Sequence, residues 1–325
     1  MIAAIAQRTQ CVQVQAPQGQ TLRVIPIVGP SHDAPEYRLL DQDTLALVKV
    51  TETSESGSVP QLLVQNGLDV RVLLIDGQEL VGAKQNRILN TDVLVPAKAT
   101  ITIPVSCVEA GRWRHVSAAF VPGKSASYRT RSAKLARVHQ ALKSEGRHDA
   151  DQSATWAEVD ACLDVSGSYS GTAALSAAYE NRQKELAEFR SSLALPENAV
   201  GVAVFRGAEL LGLDLFDRHT TLKYFWESLI DSYMIEYLGE AMEPSEPPAS
   251  EERQAVKAAL DRAAAGNWEQ FPSPGEGADY RLSDEALSGA ALVWEDRTVV
   301  HMQLYPRRSE EQSQWRPRIR RPWVL

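Results

Sequence analysis

Between Val59 and Trp113 the chain runs VPQLLVQNGLDVRVLLIDGQELVGAKQNRILNTDVLVPAKATITIPVSCVEAGRW, and this stretch limits the fold most strongly. Gln61–Val64, Val70–Ile75 and Thr100–Val108 are β-like runs. Asn66-Gly67 separates the first two, a dipeptide that favours a tight hairpin, and Asp76-Gly77 is a second turn of that kind. Apart from Arg71, Val70–Ile75 is apolar on both faces, which predicts a strand covered on both sides. Leu22–Val28 and Leu45–Val50 add further strands. Residues 20–120 therefore read as an antiparallel β-sandwich.

The pattern then changes. Lys124, Arg129, Arg131, Lys134, Arg137, Lys143 and Arg147 crowd a stretch with a helix predicted over Ser132–Lys143, striped by Leu135, Val138 and Leu142. It reads as a solvated linker helix, with an anion or nucleic-acid surface as the alternative. Ser153 is placed to cap a helix through Cys162, and a longer helix is marked by residues from Leu175 to Leu193. The clearest helix covers Thr221–Leu238, where Leu222, Phe225, Trp226, Leu229, Ile230, Tyr233 and Tyr237 recur at helical spacing. Hairpins are expected around Arg206-Gly207-Ala208 and Asp296-Arg297, and an Ala-rich helix over Glu251–Ala265. The fold class is thus α+β, an N-terminal antiparallel β-sandwich followed by a helical region with short β-hairpins. Residues 1–122 form the sandwich domain, 123–151 a basic linker with a helix, 152–306 an α+β region packed on it, and 307–325 a basic tail expected to be mobile.

Composition removes several classes. The chain has 325 residues and a formal net charge of -8, which argues against a protein that coats nucleic acid. Cys11, Cys107 and Cys162 are too far apart for a CxxC metal or redox site, and the histidines show no ligand spacing, so neither metal nor cofactor is expected. The opening MIAAIAQRTQ lacks a basic leader before a long apolar run, and no apolar run approaches a membrane span. A cytoplasmic protein without membrane association is the expectation.

The chemistry concentrates around the strand runs. Glu79 is followed within ten residues by Lys84, Gln85, Asn86 and Arg87, and Cys107, Glu109 and Arg112 precede Trp113. In an extended chain Gln85 and Arg87 share one face, a fork of donors suited to phosphate or carboxylate. Glu79 and Glu109 are the candidate acid–base groups. Gln85, Asn86, Arg87, Arg112 and Trp113 are the candidate ligand-binding residues. The alternative is structural: buried ion pairs, Glu79 with Arg87 or Glu109 with Arg112. Cys107, on the strand face of Ile103 and Val105, reads as a small core residue rather than a nucleophile.

The runs LLIDGQELVGAKQNRILN and VPAKATITIPVSCVEAGRW, with Gln152, Ser153, Trp156 and the GLDLF at Gly212–Phe216, resemble a bacterial family named for its association with ADP-ribosylglycohydrolases and rhodanese–phosphatase proteins. Lys84 stands where that pattern carries a small residue. The resemblance implies a place in NAD or ADP-ribose metabolism. The leading expectation is a protein that binds, and as an open question processes, an anionic nucleotide-like small molecule. A non-catalytic scaffold with a protein partner competes with it, and nucleic-acid binding through residues 124–147 is the weaker alternative.

Overall fold

The computed structural model describes residues 9–17, 22–31, 35–54, 60–238 and 249–307. Residues 308–325, on which the expectation of a mobile tail falls, lie outside the described residues. Strands β1 (Gln10–Cys11), β2 (Leu22–Val28), β3 (Tyr37–Leu39), β4 (Val48–Glu52), β5 (Gln61–Asn66), β6 (Arg71–Leu74), β7 (Gln78–Gly82), β8 (Arg87–Leu89), β9 (Val93–Val95), β10 (Thr100–Cys107) and β11 (Phe120–Ser125) come first. Helices α1 (Tyr128–Glu145), α2 (Gln152–Ser166), α3 (Ser176–Asn181) and α4 (Gln183–Ser191) follow. Then come β12 (Ala199–Arg206), β13 (Glu209–Phe216), α5 (His219–Met234), α6 (Ala249–Ala265), β14 (Glu269–Pro272), β15 (Ala278–Ser283), β16 (Leu287–Trp294) and β17 (Thr298–Pro306).

The protein is α+β with mostly antiparallel sheets, but its N-terminal part is not the expected sandwich. Strands β4, β5, β7, β8, β10 and β11 close into a barrel, in the order β10-β5-β4-β11-β7-β8. Strands β3, β6 and β9 form a separate three-stranded sheet in which β3 and β6 run parallel. Strand β2 leaves this region altogether and pairs with β12 in an eight-stranded sheet, β1-β2-β12-β13-β17-β16-β15-β14.

The reason lies at Asn66-Gly67. Asn66 donates from Nδ2 to Val70 O at 2.9 Å and Pro96 O at 2.8 Å, and the Gly67 N–H donates to Leu47 O at 2.8 Å. A Cβ on Gly67 would sit 2.8 Å from that carbonyl, so the glycine serves a close approach. The chain leaves the barrel here, and β6 pairs with β3 and β9 rather than folding back on β5.

The C-terminal hairpins β12–β13 and β16–β17 form as expected, but they merge into one sheet. That sheet is covered on both faces. Val202 and Val204 belong to the core that includes Leu222, Phe225 and Leu229 of α5. Ala203 and Phe205 belong to the core that includes Val256, Leu260 and Ala263 of α6. The stretch expected as one helix from Leu175 is divided at Arg182 into α3 and α4.

Helix α1 is longer than its apolar stripe predicts. Ser127 Oγ accepts from the Thr130 N–H, and Gly146 closes the helix in the left-handed conformation with φ 66°. Two of its basic residues turn inward instead of lying on a solvated face. Arg131 donates to Asp214 at 2.8 Å and to Ser232 at 3.1 Å, and Lys134 is fully buried against Asp76. Arg129 pairs with Glu236, Arg137 with Glu158, Lys143 with Glu269, Lys124 with Asp231 and Arg147 with Glu145. Every basic residue of this stretch named above thus has an acidic partner, Lys143 and Arg147 in exposed pairs and Arg131 and Lys134 in buried ones.

Arg131 and Lys134 enter a buried network between the barrel region and the large sheet. The Asp76 N–H donates to Asp92 Oδ1 at 2.7 Å, Asp92 holds His301 Nδ1 at 2.9 Å, and His301 Nε2 lies 3.5 Å from Asp214. Burial alone would push His301 down, but Asp92 and Asp214 outweigh it and raise its pKa to about 10. Stability from ionised His301 is therefore fully present below its ordinary value of 6.5 and is lost as pH rises through about 10. Urea unfolding between those limits should show falling stability, and His301→Phe should flatten the slope. Asp214→Ala, which takes the carboxylate from Arg131 and leaves His301 with Asp92, should cost about 3–5 kcal/mol.

Candidate functional site

The hairpin β7–β8 sorts the polar cluster onto two faces. Glu79 is registered opposite Ile88, and Leu80 opposite Arg87. Registered residues share a face and successive residues alternate, so Glu79 and Arg87 point to opposite sides of the sheet. The ion pair between them that the sequence allows does not form.

At the tip of this hairpin Asn86 joins the runs QNR, CVE and GRW into one staple. Its Oδ1 accepts from the Gly82 N–H at 3.2 Å and from Arg112 Nη2 at 3.0 Å, while its Nδ2 donates to Glu79 Oε1 at 3.2 Å. Glu109 accepts from the Asn86 N–H at 3.1 Å and from Thr172 Oγ1 at 2.8 Å, and it pairs with Arg112 at 2.5 Å. Burial pushes Glu109 up, but the bonds from Arg112, Thr172 and Asn86 prevail and hold it below its ordinary value. Arg112 also donates to Ala83 O at 2.7 Å, Arg114 O at 3.2 Å and Gly82 O at 3.3 Å. Asn86, Glu109 and Arg112 are thus occupied with one another and with backbone. They fasten the loop after β10 to the β7–β8 tip.

The outer face of β7 is different. Glu79 opens onto a cavity of about 270 Å³ lined also by Val81, Gly123, Lys124, Tyr179, Arg190 and Asp231. Gly123 lies where the β11–β7 register shifts, and a Cβ there would stand 3.0 Å from Glu79 Oε2 and 2.8 Å from Val81. Glycine therefore leaves the carboxyl its room. Burial raises the Glu79 pKa to about 8; Asn86 pulls it down, and Glu109 and Glu180 push it up further. In the same cavity wall Lys124 pairs with Asp231 at 3.1 Å, and Arg190 pairs with the same carboxylate. Tyr179 donates to Ser125 O at 2.8 Å. A depression of about 420 Å³ shares Gly123 and Lys124 with this cavity and adds Lys223 and Tyr224. The sequence marks Lys124 only as part of the basic stretch, and Tyr179, Arg190 and Asp231 look like ordinary helix residues until the fold brings them to Glu79.

The inner face of β8 carries Arg87 to one end of the barrel. Arg87 Nη1 donates to Gln85 O at 3.2 Å and Gln85 Oε1 at 3.1 Å, so these two residues do share a face. Gln85 Nε2 donates to Glu109 O at 3.0 Å. Trp113 is half-exposed, with the Arg87 guanidinium 5.9 Å from its ring centre. Cys107 is registered opposite Arg87 and fully buried; burial pushes its thiol up, which leaves little thiolate for nucleophilic attack. Gln152 brackets Cys107, accepting from its N–H and donating to its carbonyl, both at 2.8 Å.

The model of the ARG and Rhodanese-Phosphatase-superfamily-associated Protein domain, ARPP-1, matches residues 11–305. The chain belongs to that family. No curated protein and no solved structure matches the chain. The ARPP-1 match covers the barrel, the Glu79 cavity and the large sheet, so the family unit includes all of them. Among the described residues no group of three or more His, Cys, Asp or Glu could hold a metal ion, and no helix is long and apolar enough to cross a membrane.

Removing Arg112 strands the Glu109 carboxylate in a buried setting. Arg112→Ala should cost about 3–5 kcal/mol in chemical denaturation. Because Glu109 is held below its ordinary value of 4.5, this contribution is present above that pH and is lost as pH falls through the folded-state value. The wild-type and Arg112→Ala curves should therefore converge in acid.

Proposed function

We propose that this ARPP-1 protein binds a nucleotide-like ligand with its sugar–phosphate end in the Glu79 cavity, and that Glu79 acts there as a proton donor. The observation that carries the reading is a buried carboxyl, its pKa raised to about 8, opening onto a cavity also lined by the cations Lys124 and Arg190. At neutral pH such a carboxyl is protonated and can donate to a leaving-group oxygen. Lys124 and Arg190 both pair with the buried Asp231, and Arg190 also lies 3.8 Å from the exposed Glu227, so an anionic group would find two cations at the cavity wall.

Size narrows the ligand. About 270 Å³ lies at the lower edge of the ~300–1,000 Å³ usual for ligand pockets, enough for a sugar-sized terminus. The rest of a nucleotide would lie over the adjoining depression, past Lys124 and Lys223 towards the partly exposed Tyr224. Glu180 lines the same cavity and supplies the second carboxyl that glycosidic hydrolysis needs. In that reaction the Glu79 proton passes to the departing oxygen as the C–O bond breaks. Water forms the new bond to carbon and gives its proton to the Glu180 carboxylate. The family's association with ARG proteins supports chemistry of this kind.

Thermal shift and product analysis with ADP-ribose, NAD and ribose 5-phosphate test the reading. A nucleotide should raise the melting temperature, and turnover should fall as pH rises through about 8. Glu79→Gln, which keeps the shape, should lower turnover roughly 10²–10⁴-fold while binding changes little. Silence across the panel, or wild-type turnover by the Gln variant, would leave the scaffold reading in its place.

A further inference from the structure

The barrel's interior is apolar along most of its length. Val48 and Val50 of β4, Leu62 and Val64 of β5, Leu80 of β7, Leu89 of β8, Ile103 and Val105 of β10, and Phe120 of β11 form one core. By strand alternation Glu52 follows Val48 and Val50 on the inward face, and Arg87 shares that face with Leu89. Two opposite charges therefore stand at one end of a hydrophobic lumen.

They do not satisfy each other. Arg87 Nη2 and Glu52 Oε1 are 3.9 Å apart, with side chains 0% and 6% exposed. That is beyond the ~2.7–3.2 Å of an N–H···O hydrogen bond. Arg87 Nε and Nη2 and both Glu52 oxygens are buried without a hydrogen-bond partner. Unmet buried polar groups cost about 1–3 kcal/mol each, and charged ones more, so such a concentration calls for an external partner. That partner must offer an acceptor to Arg87 beside a donor to Glu52. The side facing solvent is covered by Trp113, which is 51% exposed and begins an exposed run through Ala118. Lys84 Nζ lies 5.5 Å from the centre of the same ring.

We propose that this barrel mouth is a second binding site, distinct from the Glu79 cavity, for a planar heteroaromatic group carrying an adjacent acceptor and donor: an amide-edged nucleobase or a ring carboxamide. The carbonyl accepts from Arg87 Nε and Nη2, the neighbouring N–H donates to Glu52, and the ring stacks on Trp113 once that side chain swings from the mouth. The apolar residues below Arg87 end the site. Glu79 lies on the other face of β7–β8, so the two sites can be emptied separately.

The test is titration by isothermal calorimetry and ligand-observed NMR with uridine, guanosine and nicotinamide. 3-Methyluridine, whose N3 donor is blocked, serves as the control. At least one of the three should bind wild-type protein, the uridine and nicotinamide arms separating a base from a carboxamide. Trp113→Ala, at a half-exposed position, and Glu52→Gln should each weaken binding tenfold or more. If uridine binds, 3-methyluridine should bind at least tenfold more weakly. Absence of binding by all three, or binding that survives Trp113→Ala, would overturn the proposal. If Glu52→Gln does not fold, Trp113→Ala alone decides.

Discussion

The structure depends on a set of ions buried between the barrel region and the eight-stranded sheet. Asp76, Asp92, Asp214 and Asp279 balance Arg131, Lys134, Arg281 and the protonated His301. Such ions are costly to desolvate, and a well-packed apolar substitute could be equally stable. What they impose is geometry. Asp76 and Asp92 flank the small sheet, Asp214 and His301 lie in the large one, and α1 supplies Arg131 and Lys134. The ions are satisfied only when α1 docks against both. Arg281 extends the set, holding Asp279 at 2.7 Å, while His148 reaches the same carboxylate at 2.8 Å.

Within that frame the polar cluster is divided by the two-residue period of a strand. Adjacent positions near the β7–β8 tip face opposite environments, one towards an external cavity and one into the barrel. The staple built from Asn86, Glu109 and Arg112 fixes the tip where the faces part. It reaches Glu79 directly, since Asn86 bonds its carboxyl. A change in the staple would therefore alter the Glu79 cavity without replacing a residue that lines it.

The two faces differ in how burial acts on their charges. At Glu79 burial opposes ionisation and, with Glu109 and Glu180 nearby, raises the carboxyl's pKa. At the barrel mouth both Arg87 and Glu52 are enclosed together, and the unmet hydrogen-bonding atoms remain as a demand on whatever enters.

Much of this was written locally. The strand runs, the hairpins around Gly207 and Asp296, the aromatic stripe of α5 and the shared face of Gln85 and Arg87 follow from side-chain period and turn chemistry, which act over a few residues. The pairing of Glu109 with Arg112, three positions apart, was one of the alternatives the sequence offered. Strand partners were decided only by the tertiary structure. Asn66-Gly67 turned the chain, but the carbonyls of Val70 and Pro96 determined where it went. The basic residues of α1 look solvated in the sequence because their partners, Asp76 and Asp214, lie far away along the chain. The Glu79 cavity was hidden for the same reason: Tyr179, Arg190 and Asp231 reach it from helices remote in sequence. Periodicity reports which face of an element is apolar; it carries no information about which distant element will cover that face.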